Sequence, residues 1–184
     1  VYHNGEQRVT RLHQLSNHLN CPLILMQKIT GFMVGKDFEH NWIIKRDSQM
    51  VNAVSNSTVP HLTVILGSSY GTGNYGMSGR AFGNRFTFLR PTAKIAVMGP
   101  KQIAGVMSLV RRGQAAREGM EIHEEEDARI VHYAERTQEA GSLALQASGA
   151  ISDDGIIAPR DTRNVLGMCL SSVRNRDIKG AEGY

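Results

Sequence analysis

A glycine-rich turn is the part of the sequence whose residue types and spacing could do chemistry. Gly71, Gly73 and Gly76 have the spacing GxGxxG, and they follow the apolar run of residues 62–66, which predicts a buried strand. Free backbone amides at a tight turn into a helix attract negative charge. That charge can belong to a phosphate, or to an oxygen that becomes anionic during a reaction, in which case the amides form an oxyanion hole. Without a ligand, the same glycines would let the helix pack closely on the strand.

The glycine turn fits two common nucleotide-binding motifs poorly. A dinucleotide-binding unit needs an acidic residue about 20 positions after the glycines, at the end of the next strand, where it holds the ribose. The next two predicted strands, residues 86–89 and 94–99, are followed by arginine, proline and lysine but by no acid. The P-loop ending GK[ST] is absent as well. A Rossmann oxidoreductase therefore stays an alternative that depends on the glycine spacing alone.

Three charged clusters could also do chemistry, and each has a simpler structural interpretation. Residues 123–127 (HEEED) and His132 match no standard metal-ligand spacing, so we expect a solvated helix face and no metal site. Asp153 and Asp154 could be paired catalytic carboxylates, but next to a glycine we expect them to shape a turn. The pair Arg111–Arg112 could hold phosphates, or it could form a solvated helix end.

Aromatic and nucleophilic residues add less. Phe32 and Trp42 could stack on a planar ligand, although a core or interface position is more typical of a lone Trp. The seven histidines have no sequence context that would support a Ser/His/Asp triad.

Composition limits the class of protein. The chain has 184 residues, 41% of them hydrophobic, which is enough for one domain with a core. Its net charge is +4, but there is neither a basic block nor an RNA-binding aromatic strand, so no nucleic-acid binding is expected. No apolar run approaches about 18 residues, so no membrane span is predicted. Cys21 and Cys169 are expected to be reduced core thiols in a reducing compartment, the cytoplasm or, in a eukaryote, the mitochondrial matrix.

Apolar periodicity predicts an α/β fold. Short strands alternate with helices, and continuously apolar strands are usually covered on both faces in a parallel sheet. The predicted strands cover residues 22–27, 62–66, 86–89 and 94–99. Helices are predicted from apolar stripes at Val9, Leu12, Leu15 and Leu19; at Ile43, Met50, Val51 and Val54; at Ile103, Val106, Met107 and Val110; and at Val165, Met168, Cys169 and Val173. A further helix is predicted over residues 124–140, and Asp161 is the predicted N-cap of the last helix.

The sequence around the glycine turn resembles a known family. The segments that carry the resemblance are residues 30–35 (TGFMVG), 59–82 (VPHLTVILGSSYGTGNYGMSGRAF), 90–99 (RPTAKIAVMG) and 152–163 (SDDGIIAPRDTR). In this order they are similar to the C-terminal half of the carboxyltransferase (beta) subunit of biotin-dependent acyl-CoA carboxylases, and the similarity covers residues 21–179. The variant GNYGM at residues 73–77 looks most like the methylcrotonyl-CoA and geranyl-CoA branch.

The resemblance implies a crotonase-like (ClpP/crotonase) fold, a spiral of ββα units with glycine-rich turns. In a complete subunit of this family, an N-terminal domain holds acyl-CoA and a C-terminal domain holds biotin. Residues 1–184 would be the single C-terminal carboxyltransferase domain, a fragment of a longer two-domain subunit that would be inactive alone. The subunits would form homo-oligomers, usually hexamers, and a partner subunit would carry the biotin carboxylase and the biotinyl carrier.

The resemblance also implies the reaction and its residues. The carboxyl group of carboxybiotin would pass to an acyl-CoA enolate, and backbone amides would stabilise the two oxyanions that this transfer creates. The residues that the resemblance assigns to catalysis are Ser68, Ser69, Tyr70 and Gly71. The residues that it assigns to biotin binding are Thr30, Gly31, Phe32, Gly67 and Gly73.

Two positions depart from the family pattern. Ser68 stands where the family commonly has a second glycine, and a positive φ at a serine would strain the backbone. Ala158 stands where the family often has Asp before the proline. The departure at Ser68 supports an alternative function, a catalytically silent crotonase-like domain that serves oligomerisation or interaction.

Overall fold

A computed structural model of the chain describes residues 3–175. The helices are α1 (His3–His18), α2 (Lys36–His40), α3 (Ile43–Ser55), α4 (Gly71–Gly76), α5 (Pro100–Glu118), α6 (Glu124–Ser142), α7 (Ala144–Gly149) and α8 (Thr162–Val173). The strands are β1 (Leu23–Ile29), β2 (His61–Tyr70), β3 (Phe86–Leu89) and β4 (Lys94–Ala96). Two short 3-10 helices cover Arg80–Phe82 and Pro159–Asp161.

The four strands form one parallel sheet around β2. On one side β2 pairs with β1, and on the other it pairs first with β3 and then, nearer its C-terminal end, with β4. Most residues of β2 are buried, as expected for a parallel strand with both faces covered. The predicted α/β class is confirmed.

The strand β2 is longer than its apolar run. The sequence predicts residues 62–66, whereas the strand continues to Tyr70, because Ser68, Ser69 and Tyr70 pair with β4. Strand β4 is correspondingly shorter than predicted and ends at Ala96. A partner strand, which local sequence does not show, therefore extends β2 through residues that resemble a turn.

The core lies where the sheet meets the last helices. One cluster joins β2 and β3 to α8 through Leu62, Val64, Phe88, Ile157, Leu166 and Cys169. A second cluster joins the same strands to α7 through Ile65, Leu89, Ala93, Ala144 and Ala147. In α3, the predicted stripe is largely confirmed, because Ile43, Met50 and Val54 are buried.

Helix α1 buries the face opposite to the predicted one. The predicted apolar stripe includes Leu12, Leu15 and Leu19, and all three are at least half exposed. Polar residues of α1 are buried instead, among them His13 and Asn17, on a helix that packs against α3. The predicted helix is therefore confirmed, but its apolar face is not the one that packs within this chain, because periodicity does not show which element covers a face.

Two other helices show the same kind of difference. In α5, Val106, Met107 and Val110 are exposed, and the buried residues are Ala104 and Ala115. In α8, Met168 is exposed although its neighbour Cys169 is buried. Asp161 occupies the N-cap position of α8, but its side chain makes no capping hydrogen bond.

An ion cluster joins α5 to α6. The Asp127 carboxylate is buried and accepts hydrogen bonds from the Ser108 hydroxyl at 2.6 Å, from Arg112 Nη2 at 3.0 Å and from Arg111 Nη1 at 3.3 Å. These partners, the Ser108 hydroxyl first, hold the pKa of Asp127 below its usual range. The predicted solvated face is therefore confirmed for residues 123–126, which are exposed, but wrong for Asp127. Arg111 and Arg112 lie inside α5 rather than at its end and pair with Asp127, although the Arg112 side chain stays half exposed.

The cysteines and the tryptophan differ partly from expectation. Cys21 and Cys169 are both free thiols, but only Cys169 is buried, so the prediction of two core thiols is wrong for Cys21. Trp42 is 67% exposed, with the ammonium group of Lys45 5.7 Å from its ring centroid, so it is not a core residue.

Within residues 3–175, no helix has the length and apolar character needed to cross a membrane.

Candidate functional site

An open groove of about 750 Å³ lies at the C-terminal edge of the sheet. One wall is the turn after β1, with Thr30, Gly31 and Phe32, and the other is the start of α4, with Tyr70 and Gly71. Residues 95–99, at the end of β4 and beyond, form a third side. The groove therefore brings together five of the nine residues that the sequence assigns to the site.

The parallel sheet explains why these turns meet. Ile29 at the end of β1 pairs with Ser69, and Ala96 at the end of β4 pairs with Tyr70. The carboxyl ends of the three strands therefore lie at one edge of the sheet, where ligands of parallel α/β proteins commonly bind. Three turns that are 25 to 65 positions apart in the sequence converge there as a result of strand pairing alone.

Each glycine of the GxGxxG turn has a separate structural reason. Gly71 has a φ of 57°, and a Cβ there would lie 3.0 Å from the Val97 carbonyl oxygen. A Cβ at Gly73 would lie 2.9 Å from the Ile29 side chain and 3.0 Å from the Gly31 Cα.

Gly76 is equally restricted, since a Cβ there would lie 2.9 Å from the side chains of both Phe32 and Met50. The close packing of α4 on the turn after β1 thus requires glycine, and the two walls of the groove touch through these glycines. Packing and an anion-binding role are compatible, because Gly71 and Thr72 at the start of α4 still line the groove.

Four of the assigned residues do not line the groove. Ser68 and Ser69 lie within β2 and pair with Lys94 and Ile95 of β4, so they lie beneath the turn rather than on its surface. Gly67 is in the same strand, where a Cβ would contact the Lys28 side chain at 3.3 Å. The fourth is Gly73, whose packing is described above.

The serine at position 68 fits its backbone. Ser68 lies in an extended strand and is not among the residues with positive φ, which include Ser78 and Gly71. The strain expected from replacing a glycine by Ser68 is therefore absent.

A buried polar network supports the turn from below, and sequence reasoning missed it. Gln27 and Ser69 are fully buried, and the Ser69 hydroxyl donates to Gln27 Oε1 at 2.9 Å. Asn74 Nδ2 donates to the Ser69 hydroxyl at 2.8 Å. The sequence does contain a signal for Gln27, because it is the one side-chain amide in an apolar strand. It also follows Leu23 and Leu25 at alternate positions, so it lies on the same buried face of β1.

The groove carries no formal charge of its own. Among the described residues that line it there is no Asp, Glu, His, Lys or Arg. Its ring-bearing residues are Phe32, Tyr70 and Tyr75, and Val34 and Val97 are more than 80% exposed at its rim. A carboxylate, imidazole or amine that could serve as general acid or base is therefore missing from the described lining. The groups that can stabilise an anion there are backbone amides, hydroxyls and the side-chain amides of Asn74 and Gln102.

The other candidate clusters have structural roles. Asp154 Oδ2 accepts hydrogen bonds from the backbone amide of Thr87 at 2.7 Å and from Arg80 at 2.6 Å, beside Gly155, whose φ is 144°. Burial opposes ionisation of Asp154, but Arg80 and the Thr87 amide hold its pKa below the usual value. The predicted turn-shaping role is confirmed for Asp154. In the described part of the chain, no group of three or more His, Cys, Asp or Glu could hold a metal ion.

Among curated proteins, the chain is similar to parts of carboxylase beta subunits. It is 48% identical over 184 residues to a probable biotin-dependent acyl-coenzyme A carboxylase beta2 subunit of Mycobacterium tuberculosis, covering 100% of this chain and 35% of that protein. It is 43% identical over 162 residues to a probable mitochondrial methylcrotonoyl-CoA carboxylase beta chain of Drosophila melanogaster, covering 88% of this chain and 28% of that protein. The chain therefore spans about a third of the length of these relatives.

Solved structures agree. The beta subunit of geranyl-CoA carboxylase from P. aeruginosa superposes with a TM-score of 0.85 at 34% identity, covering 97% of this chain and 34% of that one. Transcarboxylase 12S superposes with a TM-score of 0.79 at 27% identity, covering 97% of this chain and 33% of that one. These neighbours confirm the predicted crotonase-like fold. A model of the carboxyl transferase domain matches residues 1–181, and the chain belongs to that family.

Proposed function

We propose that this chain is the biotin-side, C-terminal domain of the carboxyltransferase (beta) subunit of a biotin-dependent acyl-CoA carboxylase. The observation that carries the proposal is the uncharged groove in which the turn after β1 meets the start of α4. A site without acids or bases suits a transfer in which the enzyme stabilises developing oxyanions rather than exchanging protons. Similarity to acyl-CoA carboxylase beta subunits supports the same reaction.

The groove fits a bicyclic ureido ring. Its volume of about 750 Å³ exceeds that of such a ring, it has no carboxylate to repel a negatively charged ureido oxygen, and its walls combine aromatic side chains with backbone amides. Phe32 and Tyr70 would flank the ring, and the turn at Thr30–Gly31 would hold its edge. When bound, carboxybiotin supplies the carboxyl group that is transferred.

This chain's own residues would stabilise charge. The groups best placed to stabilise negative charge in the groove are the backbone amides of Gly71 and Thr72 at the start of α4. Ser68, Ser69 and Tyr70 pair with β4 and so fix the end of the strand that precedes α4. Gly73 and Gly67 would act by permitting this packing rather than by touching the ligand.

The proposed substrate is an acyl-CoA of the methylcrotonyl or geranyl type. The GNYGM variant at residues 73–77 and the relatives named for those substrates support this choice. The acyl-CoA would bind mainly to an N-terminal domain, and the complete subunit would work with a partner that carries biotin carboxylase and the biotinyl carrier. The cytoplasm or the mitochondrial matrix would be its compartment.

We also propose a hexamer for the complete subunit, because transcarboxylase 12S, which shares this fold, was solved as a hexamer assembly. The alternative function is a catalytically silent interaction domain. The sequence argument for this alternative was backbone strain at Ser68, and the backbone shows no such strain. Exposed apolar residues such as Leu12 and Val110 are compatible with assembly under both functions.

A substrate panel tests the proposal. The full-length beta subunit, assembled with its biotin-carrying partner, is assayed for carboxylation of methylcrotonyl-, geranyl- and acetyl-CoA. We expect turnover of methylcrotonyl-CoA or geranyl-CoA that exceeds turnover of acetyl-CoA by at least about 10-fold. An assembled enzyme that carboxylates none of the three would contradict the proposal and favour the silent domain.

A further inference from the structure

We infer that Gln27 is a positioning residue that sets the amides at the start of α4 from beneath the groove. Gln27 lies in β1, is fully buried and does not line the groove, so it cannot touch a ligand there. Its carboxamide instead contacts residues on both sides of the six-residue helix α4. The kinetic part of this inference rests on the proposed function, whereas the structural part does not.

One end of the Gln27 side chain holds the strand before α4. Gln27 Oε1 accepts a hydrogen bond from the Ser69 hydroxyl at 2.9 Å, two residues before the first residue of the helix. The same oxygen receives a longer contact from Asn74 Nδ2, at 3.4 Å. A buried carboxamide oxygen with two donors has both lone pairs satisfied.

The other end holds the residue after α4. Gln27 Nε2 donates to the carbonyl of Met77, which is the C-cap residue of the helix. One side chain therefore connects the entry and the exit of α4 to β1, whose C-terminal turn forms the opposite wall of the groove.

Asn74 connects this hydrogen-bond network to the groove. It lines the groove, and its Nδ2 donates to the Ser69 hydroxyl at 2.8 Å. On its other side there is no room, since a Cβ at Gly79 would lie 2.2 Å from Asn74 Oδ1. The Asn74 side chain is thus held between the network and the backbone of Gly79.

Helix α4 needs this external support. It has six residues, three of them glycine, and no side-chain N-cap hydrogen bond, so it has little intrinsic stability as a helix. Oxyanion stabilisation requires donors whose positions are fixed before the reaction. Tertiary bonds must supply that rigidity here, and those of Gln27 reach both ends of the helix.

The test uses the full-length subunit with its biotin-carrying partner, and compares Gln27→Leu with Thr63→Val. Thr63 is a matched control, because it is fully buried in β2 and its hydroxyl donates to the Ser78 carbonyl at 3.0 Å, away from the groove lining. For Gln27→Leu we expect kcat per assembled enzyme to fall by about 10-fold or more, with the KM for acyl-CoA changed by less than about 3-fold. Thr63→Val should keep both constants.

Hydrogen exchange gives a readout that does not depend on activity. Amides of residues 70–76 should exchange at least about 10-fold faster in Gln27→Leu than in the wild type or in Thr63→Val. If exchange and kcat both match the control, Gln27 is an ordinary buried residue and the inference is overturned. If the wild type transfers no carboxyl group at all, the proposed function fails, and the exchange comparison alone decides the role of Gln27.

A second variant covers the case in which Gln27→Leu does not assemble. In Gln27→Glu, a protonated carboxyl group can still donate to the Met77 carbonyl, whereas a carboxylate cannot. Carboxyl transfer by Gln27→Glu relative to the wild type should therefore fall as pH rises from about 6 to about 9, because burial raises the pKa of a carboxyl group and the variant loses this donor when it ionises. A ratio that stays constant across this pH range would overturn the inference.

Discussion

At the residue scale, the groove depends on glycines that no other residue could replace without moving a neighbour. Gly71 combines a positive φ with close approach to the Val97 carbonyl, and Gly73 and Gly76 let α4 touch the turn after β1. The GxGxxG motif was informative because each of its three glycines is needed for the close packing around α4. What the motif could not show is Gln27, a polar residue in an apolar strand whose partners lie more than 40 positions away.

The first prediction concerns Gly71. In Gly71→Ala, the new methyl group meets the Val97 carbonyl and the backbone keeps an unfavourable φ, so we expect a loss of about 1 kcal/mol or more in the free energy of unfolding. In the full-length enzyme, kcat should fall at least about 10-fold, because the displaced amide lines the groove. Chemical denaturation and steady-state assays measure the two effects.

Gly105→Ala is the matched control for Gly71→Ala. Gly105 lies inside α5, and a Cβ there would meet nothing within 4 Å, so this change should be neutral or stabilising. Equal effects of the two substitutions on kcat would show that the turn at Gly71 has no special place in the site.

The second prediction concerns pH and Glu6 of α1. Burial, followed by the neighbouring Asp47 carboxyl, raises the pKa of Glu6 to about 7, compared with 4.5 in an exposed side chain. Between these values the folded protein binds more protons than the unfolded chain, so this group's contribution to stability is lost as pH rises towards 7. His61 contributes in the opposite sense, since burial lowers its pKa to about 4, but it is common to wild type and variant.

Glu6→Gln removes this titration. The melting temperature of Glu6→Gln minus that of the wild type should be larger at pH 8 than at pH 5, because only the wild type buries a charge at pH 8. Glu124→Gln, at an exposed position, should show no such change between the two pH values. A Glu6→Gln difference that is the same at both pH values would mean that Glu6 is not buried as a neutral acid.

At the scale of the elements, the strands could be predicted and the helix faces only in part. Apolar runs identified all four strands. In β2 both faces are largely covered, whereas in β1 every second residue is exposed, including the apolar Ile24 and Met26.

The leucine stripe in and after α1 was misleading, because the buried residues of α1 include the polar Glu6, His13 and Asn17. Asn17 bonds the Ser57 hydroxyl and the Thr58 amide in the segment after α3, and such contacts depend on the tertiary structure and leave no periodic pattern.

The third prediction follows from α1. Leu15→Gln replaces a side chain that is 53% exposed, so the free energy of unfolding should change by less than about 0.5 kcal/mol. Asn17→Ala removes buried hydrogen bonds and should cost about 1–3 kcal/mol. Denaturant titration of both variants compares them directly, and a larger loss for Leu15→Gln would mean that the leucine face is the one that packs within this chain.

At the scale of the whole molecule, the groove of this chain is open to solvent. Exposed apolar side chains also occur on α1, α5 and α8, such as Leu12, Leu109 and Met168, and these side chains lie outside the described core clusters. The chain spans about a third of the length of its relatives, so we expect further protein to face the groove and these helices in the assembled enzyme. Catalysis would then require the assembled enzyme, whereas this domain alone would keep the groove rigid.

The most direct measurement is single-turnover carboxyl transfer in the full-length enzyme. The biotinyl carrier is loaded with a labelled carboxyl group and mixed with the wild-type subunit and methylcrotonyl-CoA or geranyl-CoA, and the labelled acyl-CoA product is followed. We predict that label moves from the carrier to the acyl-CoA, and that the transfer is slower in Gly71→Ala. If the carrier loses its label to solvent while no carboxylated acyl-CoA forms in an assembled wild-type enzyme, the groove is not a carboxyltransferase site.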